Sequence, residues 1–325
     1  MVGKVLGFAA QVAPWAVVSG LAYAAAFIKP SVDPLPLPQP LSEPRDLFYD
    51  VAGSDQQGYW FAGNNGIVLE RSAGGSDWVR HSMDLSVNLQ GIAISSSGLV
   101  IAVGNQGWLF RNNGTSWDSQ QLPVSDIAGK LIEIAWLDGY FWAIGEMGAV
   151  FRGNADGQQW TDVSIDGDVG LNDIVQSADG TLWITAEFGT LYRSVDGGLT
   201  WQGEELGYES LRSIAFDGHR GVIVGNGGVI YTSEDQGESW QRRDAATEEH
   251  LYDVVHDGSR WLATGNGGVL VASENGRDWR PLRPAGFDSG FHTRLLPAEQ
   301  AVLIAGATIG RLKNRDWTHW PEGGE

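Results

Sequence analysis

Cysteine is absent from this 325-residue chain, so disulfide bonds, thiolate metal sites and cysteine nucleophiles are excluded. Basic residues are scarce as well, because 21 Lys and Arg stand against 40 Asp and Glu, for a net charge of −19. This excess of acid argues against nucleic acid as a partner and against a broad docking face for anionic lipid. The chain is rich instead in Gly (45) and Trp (15), a composition typical of many short strands joined by tight turns.

The N-terminus carries a long apolar run, Val5–Ile28, bracketed by Lys4 and Lys29. As a helix rising about 1.5 Å per residue, it would be long enough for a hydrocarbon core of about 30 Å. It predicts a transmembrane anchor over residues 1–29; the alternative is a cleaved signal peptide, since small residues cluster at 22–26. Lys4 favours a cytoplasmic N-terminus, which predicts a single-pass inner-membrane protein with its remaining residues in the periplasm.

Three further segments follow this run. Residues 30–45 hold six prolines and predict an extended, semi-rigid linker. Residues 46–320 carry the internal repeats described next, and residues 321–325 form a C-terminal tail.

Two columns of residues recur in one register along residues 46–320. The first small residue of a Gly-containing turn recurs every 39 to 41 residues, at Gly63, Gly104, Gly145, Ala186, Gly225, Gly265 and Gly306. A Trp after a polar turn recurs at Trp78, Trp117, Trp160, Trp201, Trp240, Trp279 and Trp317. Repeats of about 40 residues with four strand-like segments are typical of propeller blades. The pattern therefore predicts an all-β, seven-bladed β-propeller preceded by one transmembrane helix.

The polar turn resembles the Asp-box, or neuraminidase-type (BNR), repeat Ser-x-Asp-x-Gly-x-x-Trp. Two copies match it in full: Ser194, Asp196, Gly198 and Trp201, then Ser233, Asp235, Gly237 and Trp240. The other five copies are shorter or lack a residue of the motif. We expect a structural role for these residues, because Asp accepts backbone N–H bonds, Gly permits a positive φ and Trp fills the base of the blade.

Asp-box repeats also occur in glycosidases, which use a pair of carboxylates or, in sialidases, a Tyr nucleophile with an arginine cluster. The Arg-Ile-Pro signature of sialidases is absent, and sialidases resemble six-bladed propellers. Arg111, Arg152 and Arg193 occupy one repeat column, which suggests hydrogen bonds along the blade flanks. The six His show no metal-ligand spacing. We predict a protein without catalytic residues, metal or cofactor; the alternative is an envelope glycan-binding protein or a sialidase-like glycoside hydrolase.

Candidate partner-binding residues lie in two places. The turns between second and third strands contribute Glu146, Met147, Glu187, Phe188 and Ile309, where apolar tips replace the usual Asn-Gly. The innermost strands begin with an acidic column, Asp50, Glu133, Asp173 and Asp253, which either lines the channel mouth or bonds the local backbone. Acid-rich loops near residues 160–169, 204–210 and 244–250 suit a basic partner surface.

Over residues 46–320 the repeats resemble the photosystem II stability/assembly-factor family of seven-bladed Asp-box propellers, found in chloroplasts and bacteria. The resemblance implies a non-enzymatic, exported or membrane-attached protein that binds an integral-membrane complex; some bacterial relatives are associated with RND-type exporters. Because the arginines of this chain are dispersed, the basic patch expected of photosynthetic members is not evident. The resemblance therefore favours an accessory or scaffold subunit beside a transporter or a membrane-protein assembly process.

Overall fold

The computed structural model describes residues 2–27, 40–75, 77–244 and 246–321. The chain divides into two compact units, one ending at Pro40 and the other beginning at Leu41. Ile28, residues 30–39 of the predicted linker and residues 322–325 of the predicted tail lie outside the described residues.

The first unit contains one helix, α1 (Val2–Phe27), which includes Pro14. No helix within the described residues has the length and apolar character that crossing a membrane requires. The structure therefore contains the predicted helix but does not support its membrane-spanning role.

The second unit consists of seven four-stranded antiparallel sheets, each built from four consecutive strands. Blade 1 comprises β1 (Phe48–Ser54), β2 (Gly58–Gly63), β3 (Ile67–Arg71) and β4 (Trp78–Ser82). Blade 2 comprises β5 (Leu89–Ile94), β6 (Val100–Gly104), β7 (Trp108–Asn112) and β8 (Trp117–Gln121). Blade 3 comprises β9 (Leu131–Leu137), β10 (Tyr140–Gly145), β11 (Val150–Gly153) and β12 (Trp160–Asp162). Blade 4 comprises β13 (Leu171–Gln176), β14 (Leu182–Ala186), β15 (Thr190–Ser194) and β16 (Gln202–Glu205).

The last three blades repeat this order. Blade 5 comprises β17 (Leu211–Asp217), β18 (Arg220–Gly225), β19 (Ile230–Ser233) and β20 (Gln241–Arg243). Blade 6 comprises β21 (Leu251–His256), β22 (Trp261–Gly265), β23 (Leu270–Ser273) and β24 (Arg280–Pro281). Blade 7 comprises β25 (His292–Ala298), β26 (Ala301–Gly306), β27 (Ile309–Lys313) and β28 (Asp316–Trp320). Short 3₁₀ turns join the second and third strands of four blades, at Asn64–Gly66, Asn105–Gly107, Asn226–Gly228 and Asn266–Gly268. The prediction of a seven-bladed propeller is confirmed.

The ring closes by packing between complete blades. The first strand of each blade contacts the first strand of the next, and β25 of blade 7 contacts β1 of blade 1, so these strands surround the central channel. Buried apolar residues form seven clusters, each shared by two neighbouring blades. The cluster between blades 7 and 1 joins Phe48 and Phe61 to Leu303 and Trp320. Because a single sheet leaves an apolar face uncovered, each blade needs its neighbour for its core.

The two ends of the ring carry different loops. The turn between second and third strands lies beside the start of the first strand: in blade 1 the Asn64 N–H donates to the Leu47 carbonyl, and in blade 4 Glu187 donates to Gly170. The loops between blades lead into those same first strands and lie at this end, called here the mouth end. In antiparallel sheets the remaining turns, including the Asp-boxes, then lie at the opposite end.

Candidate functional site

A β-bulge occurs at the start of the innermost strand in all seven blades. A bulge adds one unpaired residue and redirects its side chain. The bulged residues line one cavity of about 220 Å³ at the channel mouth, together with Glu133, Asp173 and Arg294. They are Tyr49, Gln90, Ile132, Asn172, Arg212, Tyr252 and Thr293. One local backbone irregularity, repeated seven times, therefore builds a composite site from every blade.

Arg212 is the cation of this ring, and neighbouring amides hold it in place. Its Nε donates to Asn226 Oδ1 at 3.0 Å, and its Nη1 donates to Asn172 Oδ1 at 3.1 Å. The Asn172 amide donates in turn to the Leu211 carbonyl at 2.8 Å. The guanidinium is therefore positioned without a carboxylate partner among these contacts and keeps its charge available at the mouth.

The predicted acidic column follows the bulge by one residue, and its members are buried. Asp50, Asp173 and Asp253 each accept a backbone N–H from the next blade, donated by Ile92 at 2.7 Å, Ile214 at 3.0 Å and Leu295 at 2.6 Å, respectively. The alternatives considered from the sequence both apply in part: these carboxylates bond backbone, and Asp173 and Glu133 also line the mouth cavity.

Arg294 occupies the same column in blade 7 and pairs with acids from four other blades. Its Nε lies 2.7 Å from Asp50 Oδ1, and its Nη2 forms an ion pair with Glu133. Its Nη1 lies 3.8 Å from Asp173 Oδ1 and 3.7 Å from Asp253 Oδ1. One guanidinium therefore serves four buried carboxylates in the centre of the ring. The equivalent positions in blades 2 and 5 are Gly91 and Ser213.

Burial raises the pKa of three of these carboxyls. Desolvation raises the pKa of Asp173 to about 6, although the backbone N–H of Ile214 opposes the shift. Desolvation also raises the pKa of Asp50, against the attraction of Arg294, and raises that of Asp253 well above its usual value. Because carboxylates outnumber the guanidinium, protonation relieves both the burial of charge and the mutual repulsion.

We expect the free energy of unfolding to rise when the pH falls from 7.5 to 5. The folded protein holds a proton on Asp173 below pH 6 that the unfolded chain, with a pKa near 4, releases, so acidification favours the fold in this window. The expected gain from this group is about 1–1.5 kcal/mol, measured by urea unfolding at both pH values. Asp173→Asn is the control and should show a smaller rise; a fall in stability over this range would contradict the prediction.

The turn acids at the mouth end replace asparagine in a backbone contact. In blade 1 the Asn64 side-chain oxygen accepts the Leu47 N–H at 3.0 Å. Glu146 Oε2 accepts the equivalent Lys130 N–H at 2.9 Å, and Glu187 Oε2 accepts that of Gly170 at 3.3 Å. Glu146 also pairs with the Lys130 ammonium at 3.8 Å. These contacts account for an acidic residue at both positions through the local fold.

The three predicted apolar tips have different environments. Phe188 is 66% exposed, and Met147 is half-buried. The prediction of an exposed tip is wrong for Ile309, which is 3% exposed and packs in the cluster between blades 7 and 1. The physical reason is that the turn of blade 7 is formed by Ala307 and Thr308, so Ile309 already belongs to β27 and points into the core.

The Asp-boxes are hydrogen-bonded turns at the opposite end. Asp196 Oδ1 accepts the Ser194 hydroxyl at 2.7 Å and the Thr200 N–H at 2.9 Å, and Ser194 Oγ accepts the Gly198 N–H at 2.9 Å. Hydrogen bonds, that of the Thr200 hydroxyl first, lower the pKa of Asp196 to about 2. Trp201 packs between blades 3 and 4.

The second complete box has the same organisation. Asp235 Oδ1 accepts the Ser233 hydroxyl at 2.8 Å, and Ser233 Oγ accepts the Gly237 N–H at 2.8 Å. Trp240 packs edge-to-face on Trp183 of the preceding blade, with ring centroids 6.3 Å apart.

The three arginines of the column connect blades 2, 3 and 4 to the polar turn of the blade that follows. Arg111 donates to the Asp156 carbonyl at 3.1 Å, Arg152 to the Gly197 carbonyl at 3.3 Å and Arg193 to Glu238 at 3.1 Å. The three guanidinium groups therefore bind separate blades along the flank of the ring instead of converging on one ligand. Within the described parts of the chain, no group of three or more His, Cys, Asp or Glu has a metal-binding arrangement.

Three residues of the mouth end were not predicted from the sequence. Arg294 is recognisable only when the innermost strands are aligned residue by residue, which places it in the acidic column. Arg212 is the bulged residue of blade 5, and bulges have no reliable sequence signal. Tyr208 is 95% exposed in the loop between blades 4 and 5. The sequence singled out this loop for its acids and not for its aromatic residue.

Comparison with known proteins supports the fold and the repeat type. The family model of photosynthesis system II assembly factor YCF48 matches residues 153–249. No curated protein matches the chain. A solved structure described as YCF48 bound to D1 peptide has a TM-score of 0.65 and is 21% identical, covering 85% of this chain and 96% of that one. YCF48 from Cyanidioschyzon merolae has a TM-score of 0.65 and 17% identity, covering 85% and 97%. The predicted resemblance to photosystem II assembly-factor-like propellers is confirmed.

Proposed function

We propose that this chain is a non-enzymatic scaffold or assembly protein whose propeller binds a segment of a partner protein at the mouth end. The observation that carries the proposal is the cavity of about 220 Å³ on which the bulged residues of all seven blades converge. Its lining mixes aromatic, amide and cationic side chains, as in protein-recognition sites with a few polar groups that fix orientation. A YCF48 structure of the same fold is described as bound to a D1 peptide, which is consistent with peptide recognition by this kind of ring.

The engagement of the channel acids supports a binding role over a catalytic one. A glycosidase needs one carboxyl free to protonate the leaving group and a second free to act as base or nucleophile. Asp50, Asp173 and Asp253 accept backbone N–H groups of neighbouring blades, and Glu133 pairs with Arg294. These contacts join different blades to one another and give the channel acids a structural role.

Affinity purification of the full chain in mild detergent tests the proposal. We expect a partner protein to co-purify with the wild-type chain and to be lost at least tenfold from Tyr252→Ser, which removes an aromatic side chain from the mouth. Tyr140→Ser is the matched control, because Tyr140 is an exposed tyrosine at the opposite end and its replacement should leave the yield unchanged. Recovery of the chain alone, or equal recovery with Tyr252→Ser, contradicts the proposal.

The finer proposal is that the partner is an integral-membrane complex, of the RND-transporter type, and that the propeller lies in the periplasm. The apolar sequence of residues 5–28 and the resemblance to membrane-associated relatives support it. Cell fractionation with a protease-accessibility assay tests the location, and identification of a polytopic protein in the purification above tests the partner. If the chain fractionates apart from membranes and no polytopic partner is found, the finer proposal is wrong and the scaffold proposal stands.

The alternative function, glycan binding or sialidase-like hydrolysis, is favoured by one feature of the same cavity. Tyr49, Tyr252, Asp173 and Glu133 meet there, and aromatic and acidic side chains together are typical of sugar sites. Turnover of a fluorogenic glycoside panel that is lost in Asp173→Asn would establish it. Absence of both turnover and glycan-array binding would remove it.

A further inference from the structure

The turn between second and third strands of blade 4 has an aromatic residue at a left-handed position, where five other blades have Asn, Gln, Met or Gly. The central residue of the turn between second and third strands has a positive φ in six blades: Asn65, Gln106, Met147, Phe188, Gly227 and Gly267, with φ between 55° and 65°. Gly and Asn tolerate this left-handed conformation, whereas a bulky side chain is disfavoured there. Phe188 adopts it with φ 56° while its ring remains exposed. Neither turn chemistry nor core packing accounts for phenylalanine here.

A second exposed aromatic residue belongs to the same place. The loop 206–210 lies directly on this turn, since the Leu206 N–H donates to the Gly189 carbonyl at 2.9 Å and Gly189 is in close contact with Gly207. Tyr208 extends from this loop and is almost fully exposed. Two adjacent segments therefore each present one large ring to solvent at the mouth end of blade 4. We call Phe188, Tyr208 and the acids around them the blade 4 rim.

The charge around these rings is strongly negative. Six acids lie in the adjoining loops and strand ends, namely Asp166, Asp168, Glu187, Glu204, Glu205 and Glu209. Arg242 binds one of these acids, Glu209, at 2.8 Å. Glu204 and Glu205 end the outermost strand β16 and are exposed. The rim therefore combines a small apolar surface with an excess of carboxylates.

We propose that the blade 4 rim binds a cationic protein segment in which an apolar or aromatic side chain is flanked by Lys or Arg. This inference rests on the proposed function and specifies the chemistry of the partner. The rings bury the apolar side chain, and the carboxylates pair with its basic neighbours, accelerate its association and reject acidic segments. An exposed aromatic ring is kept at this left-handed position because the bound state uses it.

Charge decides between this occupant and two others. A second copy of the chain carries a net charge of −19 and the same acidic rim, so self-association through this surface is repulsive. An anionic membrane surface is repelled for the same reason. A basic protein segment alone satisfies both the rings and the carboxylates.

Fluorescence anisotropy with the full chain and three labelled ten-residue peptides tests the proposal. The first peptide has a Leu-Phe centre flanked by Lys, the second has Glu in place of Lys, and the third has Ser-Ser in place of Leu-Phe. We expect the first peptide to bind at least tenfold more tightly than either of the others, with an affinity that falls as salt is added. That result would show that binding needs both the rings and the acids of the rim.

Matched variants assign the binding to the rim. Phe188→Asn/Tyr208→Ser should weaken binding of the first peptide at least tenfold, because both rings are removed. Val195→Ser/Leu199→Ser is the control, since these side chains are 70% and 67% exposed on the Asp-box turn at the opposite end of the same blade. Asn suits the left-handed turn, so Phe188→Asn alone should keep or raise the melting temperature while it weakens binding. If Phe188 had a purely structural role, its replacement by Asn would lower the melting temperature instead.

Several results overturn the proposal. They are equal binding of the Glu-flanked peptide, unchanged binding to the double variant, self-association that the double variant abolishes, and preferential binding to phosphatidylserine vesicles. The outcome is separable from that of the proposed function. A co-purified partner that depends on Tyr252 but not on Phe188 and Tyr208 leaves the proposed function intact and removes the rim. If no partner is recovered but the first peptide binds at the rim, the rim proposal stands and the proposed function is removed.

Discussion

Replacing Arg294 with methionine lowers the free energy of unfolding by about 3–5 kcal/mol, because it leaves buried carboxylates of four blades without their cation. The side chain pairs with Asp50, Glu133, Asp173 and Asp253, each from a different blade. Methionine is of similar volume, so the loss reports charge and not a cavity. Chemical denaturation of the full chain, followed by tryptophan fluorescence, measures the change.

Arg277→Met is the control for this experiment. Arg277 pairs with Glu234 at 3.0 Å on the surface, with about half of its side chain exposed. Loss of such a pair costs about 0–1 kcal/mol. Arg294→Lys keeps the charge but not the forked donors, so its stability should lie between those of wild type and Arg294→Met. An Arg294→Met protein as stable as the wild type would show that the central ion pairs are not needed to hold the ring.

The second large effect is expected at the Asp-box glycine of blade 4. Gly198 has φ +79°, and a Cβ at this position would overlap the Trp142 ring of blade 3. Gly198→Ala should lower the free energy of unfolding by about 2–5 kcal/mol, because left-handed strain and overpacking against Trp142 add together. The same denaturation assay measures it.

The neighbouring glycine separates the two causes. Gly197 has φ +72°, and a Cβ there meets no atom within 4 Å. Gly197→Ala should therefore cost only the backbone strain, about 1–2 kcal/mol. If both variants are equally stable, contact between the Asp-box glycine and the preceding blade contributes nothing, and the role of the box is confined to its own turn.

The seven blades were predictable because the repeats reflect local requirements. The last residue of the turn between second and third strands is a Gly with positive φ in six blades, and the Trp after each polar turn marks the outer strand. These requirements recur at a constant spacing and are visible without contacts from elsewhere in the chain. The same reasoning misplaced Ile309. The turn of blade 7 is formed by Ala307 and Thr308, so Ile309 is already the first residue of β27.

The candidate site was predictable only in part. The acidic column was visible as acids at the start of strands, and Phe188 was visible as an apolar residue in place of Asn-Gly. The mouth cavity was not, because it depends on bulges that rotate residues such as Tyr49 and Arg212 toward the channel axis. The roles of Arg294 and Tyr208 depend on residues elsewhere in the chain that lie near them in the fold, so local sequence does not predict them.

The sequence by itself determined the number of blades, their strand order and the turns that separate them, since these follow from short-range backbone requirements repeated along the chain. It also indicated the resemblance to assembly-factor propellers. The tertiary structure decided which acids face one another, that Arg294 joins blades 1, 3, 4 and 6 to blade 7, and that Phe188 lies beside the loop of Tyr208. Closing the ring brings together residues more than 200 positions apart, such as Asp50 and Arg294, and no local pattern encodes that proximity.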